Sequence, residues 1–346
     1  MAYIKAGIGG EFIPATNELC IRFAEHFKYR QTVGGTATRA AIAISRLGCE
    51  SSLSMCCFNE QIRRLLPQKI HYFSNVGDAS QTIYPHVILS YPAGERLCVN
   101  NIDMITSREN RLMYSNDDDA KSMMVSAEFS SWLTDADAFL LGCFSEVLDR
   151  NTLKERMEST GSLFRSMKDS AWIVLEDGCY IKKEFRYYVH QSLRKFLDVI
   201  SMNEDELQEY IEKRIDVFDY RAVLEEISVV YGRLGVPVLV VHSAGWALAY
   251  GERPERLKAA LYRGICLSAT RFRYGDDFDK KEYEKTERLA PKAEGAEFCR
   301  NIKKLAGDKI CCLPTKDLSF VKHPTIVGLG DFFAGGLVYG LAETEK

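Results

Sequence analysis

Asp331 stands directly after a glycine turn, in the run Thr325-Ile326-Val327-Gly328-Leu329-Gly330-Asp331, and that spacing suits chemistry on an anion. A turn bared by glycine at the start of a helix points backbone amides at whatever lies in front of it, which makes a cradle for phosphate. The amides of Gly328, Leu329 and Gly330 would hold charge on a transferring phosphoryl group, while Asp331 takes the proton of a substrate hydroxyl. The competing reading is a dinucleotide fingerprint, G-x-G-x-x-G. Its third glycine position holds Phe333, and no βαβ unit with a ribose-binding acid is found in the fifteen residues after Asp331.

A phosphoryl-transfer site needs a divalent cation, and hard cations take oxygen ligands. Glu176 ends the apolar run Ala171-Trp172-Ile173-Val174-Leu175-Glu176, and Asn203-Glu204-Asp205-Glu206 places three acids behind a helix-capping asparagine. Magnesium is usually held by one or two carboxylates together with substrate phosphates and water, so Glu176, Asn203, Glu204 and Glu206 are the candidate metal residues. The same acids would also complement a helix dipole. His242 and Ser243 close another apolar run and are candidates for nucleotide contact. Near the other end, Gly34-Gly35 opens a helix of small residues, with Ala37, Ala40, Ala41, Ile44 and Leu47 as its buried stripe. Bare backbone at its start could hydrogen-bond a polyol, and alanine would let it approach the sheet closely.

These residues converge only if their carriers form one sheet. The segments 138–142, 171–176, 197–201 and 236–241 are continuous apolar runs, each alternating with a helical stretch; 309–313 and 325–327 read as further strands. Continuous rather than alternating apolar strands argue for a doubly wound, mainly parallel α/β sheet with helices on both faces. In such sheets ligands bind outside the carboxyl ends of the strands, where Glu176, Asn203, His242 and Gly328–Asp331 all fall. One stretch departs from the pattern. Thr82 to Tyr91, Arg96 to Asn100 and Arg111 to Ser115 read as short strands without helices between them, a small antiparallel β lid over residues 81–115. Residues 1–80 and 116–346 would form the large nucleotide-binding domain.

Composition agrees with a globular protein of this kind: 346 residues, 46% hydrophobic and 27% charged. A formal net charge of −3, from 45 basic and 48 acidic residues, gives no electrostatic reason to expect nucleic acid or an anionic membrane as partner. No run reaches the ~20 apolar residues that span a bilayer. Eleven cysteines, none in a C-x-x-C pair, and six scattered histidines exclude a zinc site of ordinary spacing and point to reduced thiols in the cytoplasm.

Taken in order along the chain, these motifs resemble the ribokinase-like sugar kinases, and within them the ADP-dependent glucokinase and phosphofructokinase family. Gly34-Gly35 is similar to the family's acceptor-binding diglycine, and Ser90 to Ser115 to its lid. Glu176 matches the glutamate of the H-x-E metal motif, Asn203 and Glu206 match N-x-x-E, and His242-Ser243 falls at the family's His-Thr. Thr325–Asp331 resembles T-V-G-L-G-D, the anion hole and catalytic base. The resemblance implies a magnesium-dependent kinase that moves the terminal phosphoryl of ADP to a sugar hydroxyl (glucose or fructose 6-phosphate) and releases AMP. Asp331 would be the base, with Gly328, Leu329 and Gly330 as the anion hole. It also implies that Gly34, Gly35, Asn110 and Arg111 meet the substrate and that His242, Ser243 and Val327 meet the nucleotide. The rivals are an ATP-dependent kinase of the same fold and a non-catalytic relative that binds nucleotide or sugar. The chain departs from the pattern in three places: Val174 stands where H-x-E has histidine, Ser243 replaces threonine, and no strand ending in N-x-D is legible before Gly34. Oligomeric state is not legible.

Overall fold

The computed structural model of the protein describes residues 2–74, 85–123, 125–126, 128–142, 144–344 and 346. Its first seven strands, β1 (Gly10–Phe12), β2 (Ser51–Met55), β3 (Ile70–Ser74), β4 (Val87–Tyr91), β5 (Arg96–Val99), β6 (Ile102–Ile105) and β7 (Asn110–Tyr114), make three small sheets. β4 and β7 are antiparallel, the core of the predicted lid, and β5–β6 is a hairpin with Asn100 in the left-handed region at φ 52°. Asparagine tolerates that conformation well. The predicted strand at 82–91 begins in the structure at Val87; residues 81–84 lie outside the described residues. The small sheet is not confined to 81–115. β1 pairs in parallel with β7, and Phe12 stacks on Tyr114 at 5.4 Å, over a cluster of Ile4, Tyr91 and Leu112. Two lid strands alone bury little, and aromatic residues of the N-terminal segment supply the missing apolar face.

The central sheet has the order β13-β12-β11-β10-β9-β8, from β8 (Ala138–Leu141), β9 (Trp172–Glu176), β10 (Val199–Asn203), β11 (Val238–His242), β12 (Trp246–Gly251) and β13 (Ile310–Pro314). β8 to β11 are parallel, and β12 and β13 add an antiparallel edge. Successive side chains leave opposite faces, so each apolar run feeds two cores. Ile173 and Leu175 join the core under the helices Arg150–Ser166, Lys183–Leu193, Tyr220–Leu234 and Ala293–Ala306; Trp172 and Val174 join the core under Lys258–Tyr274 and Leu329–Ala342. Each such fully buried aliphatic side chain contributes about 1.5–3 kcal/mol, which is why these runs are predominantly apolar. No helix of the described residues is long and apolar enough to cross a membrane.

Residues 325–327 are not a strand. Bracketed by Pro324 and Gly328, the segment bonds to a helix instead. The Thr325 amide donates to Phe272 O at 3.0 Å, and Arg271 Nε donates to Val327 O at 2.8 Å. The helix it leads into starts at Leu329, with Gly328 as N-cap. That cradle helix is wedged between two others by its own glycines. A Cβ on Gly335 would sit 2.9 Å from Ala40 in the diglycine helix (Thr36–Arg46), and one on Gly336 would sit 2.6 Å from the Arg263 backbone. The close approach expected of the alanine stripe is thus made to the cradle helix rather than to the sheet.

Candidate active site

Strand register fixes the first half of the site. Glu176 pairs with Ser201, and Asn203 pairs with His242, so the carboxyl ends of β9, β10 and β11 lie side by side. His242 Nε2 is 3.2 Å from Glu176 Oε1, and both side chains are buried. The imidazole also packs on the Phe333 ring, centroids 4.3 Å apart, and a Cβ on Gly330 would lie 3.4 Å from His242 Cε1. One histidine therefore joins the acid at the end of β9 to the first turn of the cradle helix. Val174 itself is fully buried beneath that helix.

The acids divide into separate groups. Asn203 Oδ1 accepts from the amides of Asp205 and Glu206, and Glu206 Oε2 accepts from the Asn203 amide at 2.8 Å, a capping box at the start of the helix Glu204–Ile211. Glu206 is buried, and its pKa is pushed well above the usual carboxylate range by burial and then by the charges of Asp177 and Glu176. Glu176 Oε2 is buried with no hydrogen-bond partner. Unshared lone pairs and crowded carboxylates are the environment that a hard cation relieves, so Glu176 and Glu206 fit magnesium as its protein donors. Among the described residues no group of three or more His, Cys, Asp and Glu side chains forms a cage for a metal. Two carboxylates completed by phosphate oxygens and water remain consistent with magnesium. Glu204 accepts from the Ala244 amide and lies near His242, while burial pushes its pKa up.

At the head of the cradle helix, Asp331 Oδ2 lies 3.6 Å from Arg39 Nε. The first amides of a helix have no intrahelical acceptor, so Leu329, Gly330 and Asp331 present free donors at this point. Gly328 adopts φ 75°, and a Cβ there would meet Arg39 Nη1 at 2.5 Å; both facts call for glycine. Arg271 is buried beside them, bonded to Val327 O, paired with Asp276 and stacked over Phe332 at 4.4 Å. Burial, then the neighbouring Arg39 charge, pulls the Arg271 pKa down to about 9, against the opposing pull of Asp331. Burial lowers Arg39 as well, with Arg111 and Arg30 adding to the effect and Asp331 opposing it. Arg39 thus faces Asp331, Arg30 and Arg271 face Asp276, and Arg111 lies within electrostatic reach of Arg39.

Other expected site residues are placed differently. Ser243 Oγ accepts from the amides of Gly245 and Trp246, each at 3.1 Å, and so serves the β11–β12 turn. Asn110 Nδ2 donates to Gly7 O at 3.1 Å, which ties β7 to the N-terminal segment, whereas Arg111 is exposed within electrostatic reach of Arg39. Val327 is spent through its carbonyl on Arg271. Gly34 has open space around it, and Gly35 caps its helix at φ 87°. Thr36 packs near Gly142 at the end of β8, so the diglycine reaches the same edge as the acids.

Sequence reasoning missed Arg39, Asp276 and Asp177. Asp177 lies buried among Arg186 (Nε at 3.6 Å), His190 (3.6 Å) and the Tyr210 hydroxyl, which donates at 2.7 Å. A signal existed for Arg39, a lone cation on the buried face of an alanine helix; none existed for Asp276, whose partner is set by the fold.

A doubly wound sheet whose last helix opens with bare amides and an aspartate defines the ribokinase-like class. The conserved region described as ADP-specific Phosphofructokinase/Glucokinase matches residues 1–233, and the chain belongs to that family of sugar kinases. The match covers the diglycine, the lid, Glu176 and Glu206, and ends before His242. An ADP-dependent kinase in complex with fructose-6-phosphate and ADPβS shares the fold with a TM-score of 0.81 at 14% identity, over 100% of this chain and 87% of that one. A phosphofructokinase from Pyrococcus horikoshii OT3 with AMP gives 0.73 at 16%, over 99% and 85%. The last common ancestor of ADP-dependent phosphofructokinases from Methanosarcinales gives 0.75 at 15%, over 100% and 83%. No curated protein matches the sequence.

Proposed function

We propose that this protein is a magnesium-dependent kinase that transfers the terminal phosphoryl group of ADP to a sugar-phosphate hydroxyl and releases AMP. The observation that carries the reading is one run of contacts: Glu176 to His242, His242 to Gly330, and the cradle turn to Asp331, which faces Arg39. These contacts support Glu176 as a metal carboxylate, the turn as an anion cradle and Asp331 as a base acting within one site. Family membership supports ADP as donor. The guanidiniums of Arg30, Arg39 and Arg271 beside Asp331 and Asp276, with Arg111 near Arg39, support an anionic acceptor, fructose 6-phosphate over glucose. Free cysteine thiols among the described residues support a reducing, cytoplasmic setting.

In the reaction, the acceptor hydroxyl oxygen bonds to the terminal phosphorus of ADP. The bridging P–O bond breaks, its electron pair leaving with AMP, and the hydroxyl proton passes to Asp331. Free amides at the start of the cradle helix hold the charge that spreads over the transferring oxygens. Magnesium, when bound by Glu176 and Glu206, would neutralise phosphate charge. The protein's part is chiefly positioning.

The test is a turnover matrix of ADP and ATP against glucose, fructose 6-phosphate and other sugars, with AMP release as readout. AMP formed from ADP with fructose 6-phosphate as the best acceptor is expected. Faster turnover with ATP would replace the donor, a preference for glucose would overturn the acceptor, and ADP binding without AMP release from any sugar would make the protein a non-catalytic binder.

A further inference from the structure

We infer that Arg39 is a positioning residue that locks the base Asp331 to the anion cradle. The inference rests on the proposed reading of that aspartate as the base. Arginine is almost never buried unless paired, yet Arg39 is only 4% exposed, and its pairing is incomplete. Nε faces Asp331 Oδ2 at 3.6 Å, a distance for an ion pair and not for a hydrogen bond. Nη1 is buried without a partner and lies against the backbone of Gly328. The guanidinium therefore touches, with two different nitrogens, the carboxylate that would take the proton and the turn that starts the amide cradle. The remaining charges that face it, Arg111, Arg30 and Arg271, are all cationic. Asp331 is the sole acid at this guanidinium among the described residues.

A buried donor without a partner is costly, and a packing role would be filled more cheaply by an aliphatic side chain on this alanine-rich helix. What an aliphatic side chain lacks is the second contact. Arg39 fixes the carboxylate relative to the cradle, so that the acceptor hydroxyl meets the base and the phosphoryl group meets the amides in one geometry. Positioning of this kind acts on the transition state, because a shift of about 1 Å at a catalytic group costs about a hundredfold in rate.

The experiment compares wild type with Arg39→Met, which keeps an aliphatic stem, and Arg39→Lys. The expected kinetics are a kcat about a hundredfold lower in Arg39→Met, with KM for ADP nearly unchanged, partial recovery in Arg39→Lys, and recovery in Arg39→Met on adding guanidinium but not sodium chloride. A second readout needs no turnover: calorimetry with AMP alone and with AMP plus aluminium fluoride, a mimic of the transferring phosphoryl group. AMP alone should bind the wild type and both variants equally. AMP with aluminium fluoride should bind Arg39→Met at least about tenfold more weakly than wild type, since the cradle has lost its lock. Equal affinity of wild type and both variants for the mimic overturns the inference whatever the kinetics show. A kcat loss matched by an equal loss of AMP affinity does the same. A wild type that binds neither AMP nor the mimic overturns the kinase reading beneath it, and the assigned role falls with that reading. Should Arg39→Met not fold, Arg39→Lys carries both comparisons.

Discussion

His242 reaches across β10 to place its Nε2 3.2 Å from Oε1 of Glu176, two strands away. The H-x-E pattern would have supported this glutamate from position 174, but Val174 is locked in the apolar core beneath the cradle helix. The imidazole two strands over orients the carboxylate instead, and orientation of a ligating carboxylate by a hydrogen bond typically changes metal affinity by about 10–100-fold. His242→Ala should therefore raise the magnesium concentration that supports half-maximal activity by about tenfold or more and weaken manganese binding to the resting protein, measured by electron paramagnetic resonance. His242→Gln, which keeps a donor, should fall between. Unchanged manganese affinity in His242→Ala would show that Glu176 needs no such support.

Asp331 has a different signature. Replacing its carboxylate by an amide leaves the backbone amides of the cradle in place but removes the proposed proton acceptor and, with it, the acid that faces the buried Arg39 guanidinium. General-base contributions run at about 10²–10⁴-fold, so Asp331→Asn should lose turnover on that scale while calorimetric affinity for ADP stays within a few fold. Near-normal turnover would mean that another group takes the proton.

How far these relationships were legible in the sequence depended on whether they were local. The strands at 138–141, 172–176 and 238–242 announced themselves because burial on both faces selects unbroken apolar runs, and Val199–Asn203 was legible despite the buried Ser201 in its middle. Asn203 with Glu206 was legible for a similar reason, since a capping box is a four-residue event. Thr325-Ile326-Val327 has the composition of a strand and the setting of a loop; which one forms is decided by Arg271 and Phe272 some fifty residues away. β12 escaped notice because alanine and glycine in Trp246–Gly251 carry little strand preference, and the segment forms only between two ready partners. Arg39 was legible only as a lone cation on the buried face of an alanine helix. Its meaning comes from the cradle turn packed on it, and helical periodicity cannot show that contact.

Asp177 should matter for folding more than for chemistry. Its carboxylate is wholly buried, and although burial opposes ionisation, the adjoining His190, Arg186 and Tyr210 outweigh it and hold the pKa below the ordinary carboxylate value. A group depressed in the folded state stabilises at pH values above its unfolded pKa, and that contribution is lost as pH falls through the folded pKa. Removing one partner of a buried ion pair costs about 3–5 kcal/mol. Asp177→Asn should therefore unfold at markedly lower denaturant at pH 7, and the gap from wild type should close in acid. A constant gap from pH 7 down to pH 2 would mean that ionisation of Asp177 contributes nothing.

Cys299 on the helix Ala293–Ala306 and Cys312 on β13 bring their sulfurs to 2.8 Å as free thiols. Little movement separates that placement from a bond. Burial, and then the neighbouring Cys299, pushes the Cys312 thiol well above its usual value, so it holds its proton and reacts slowly. With oxidised glutathione as oxidant, the two thiols would lose two hydrogens to form one disulfide, and the glutathione would be reduced to two thiols. Closing a loop of this length restricts the unfolded chain and stabilises by about 3 kcal/mol. Prolonged incubation with oxidised glutathione should link the peptides carrying Cys299 and Cys312, the linked pair weighing 2 Da less than the two reduced peptides together, and raise the unfolding midpoint by several degrees. Cys299→Ser and Cys312→Ser should each abolish both effects. A cross-link that forms without raising the midpoint would show that the bond strains β13 against its helix.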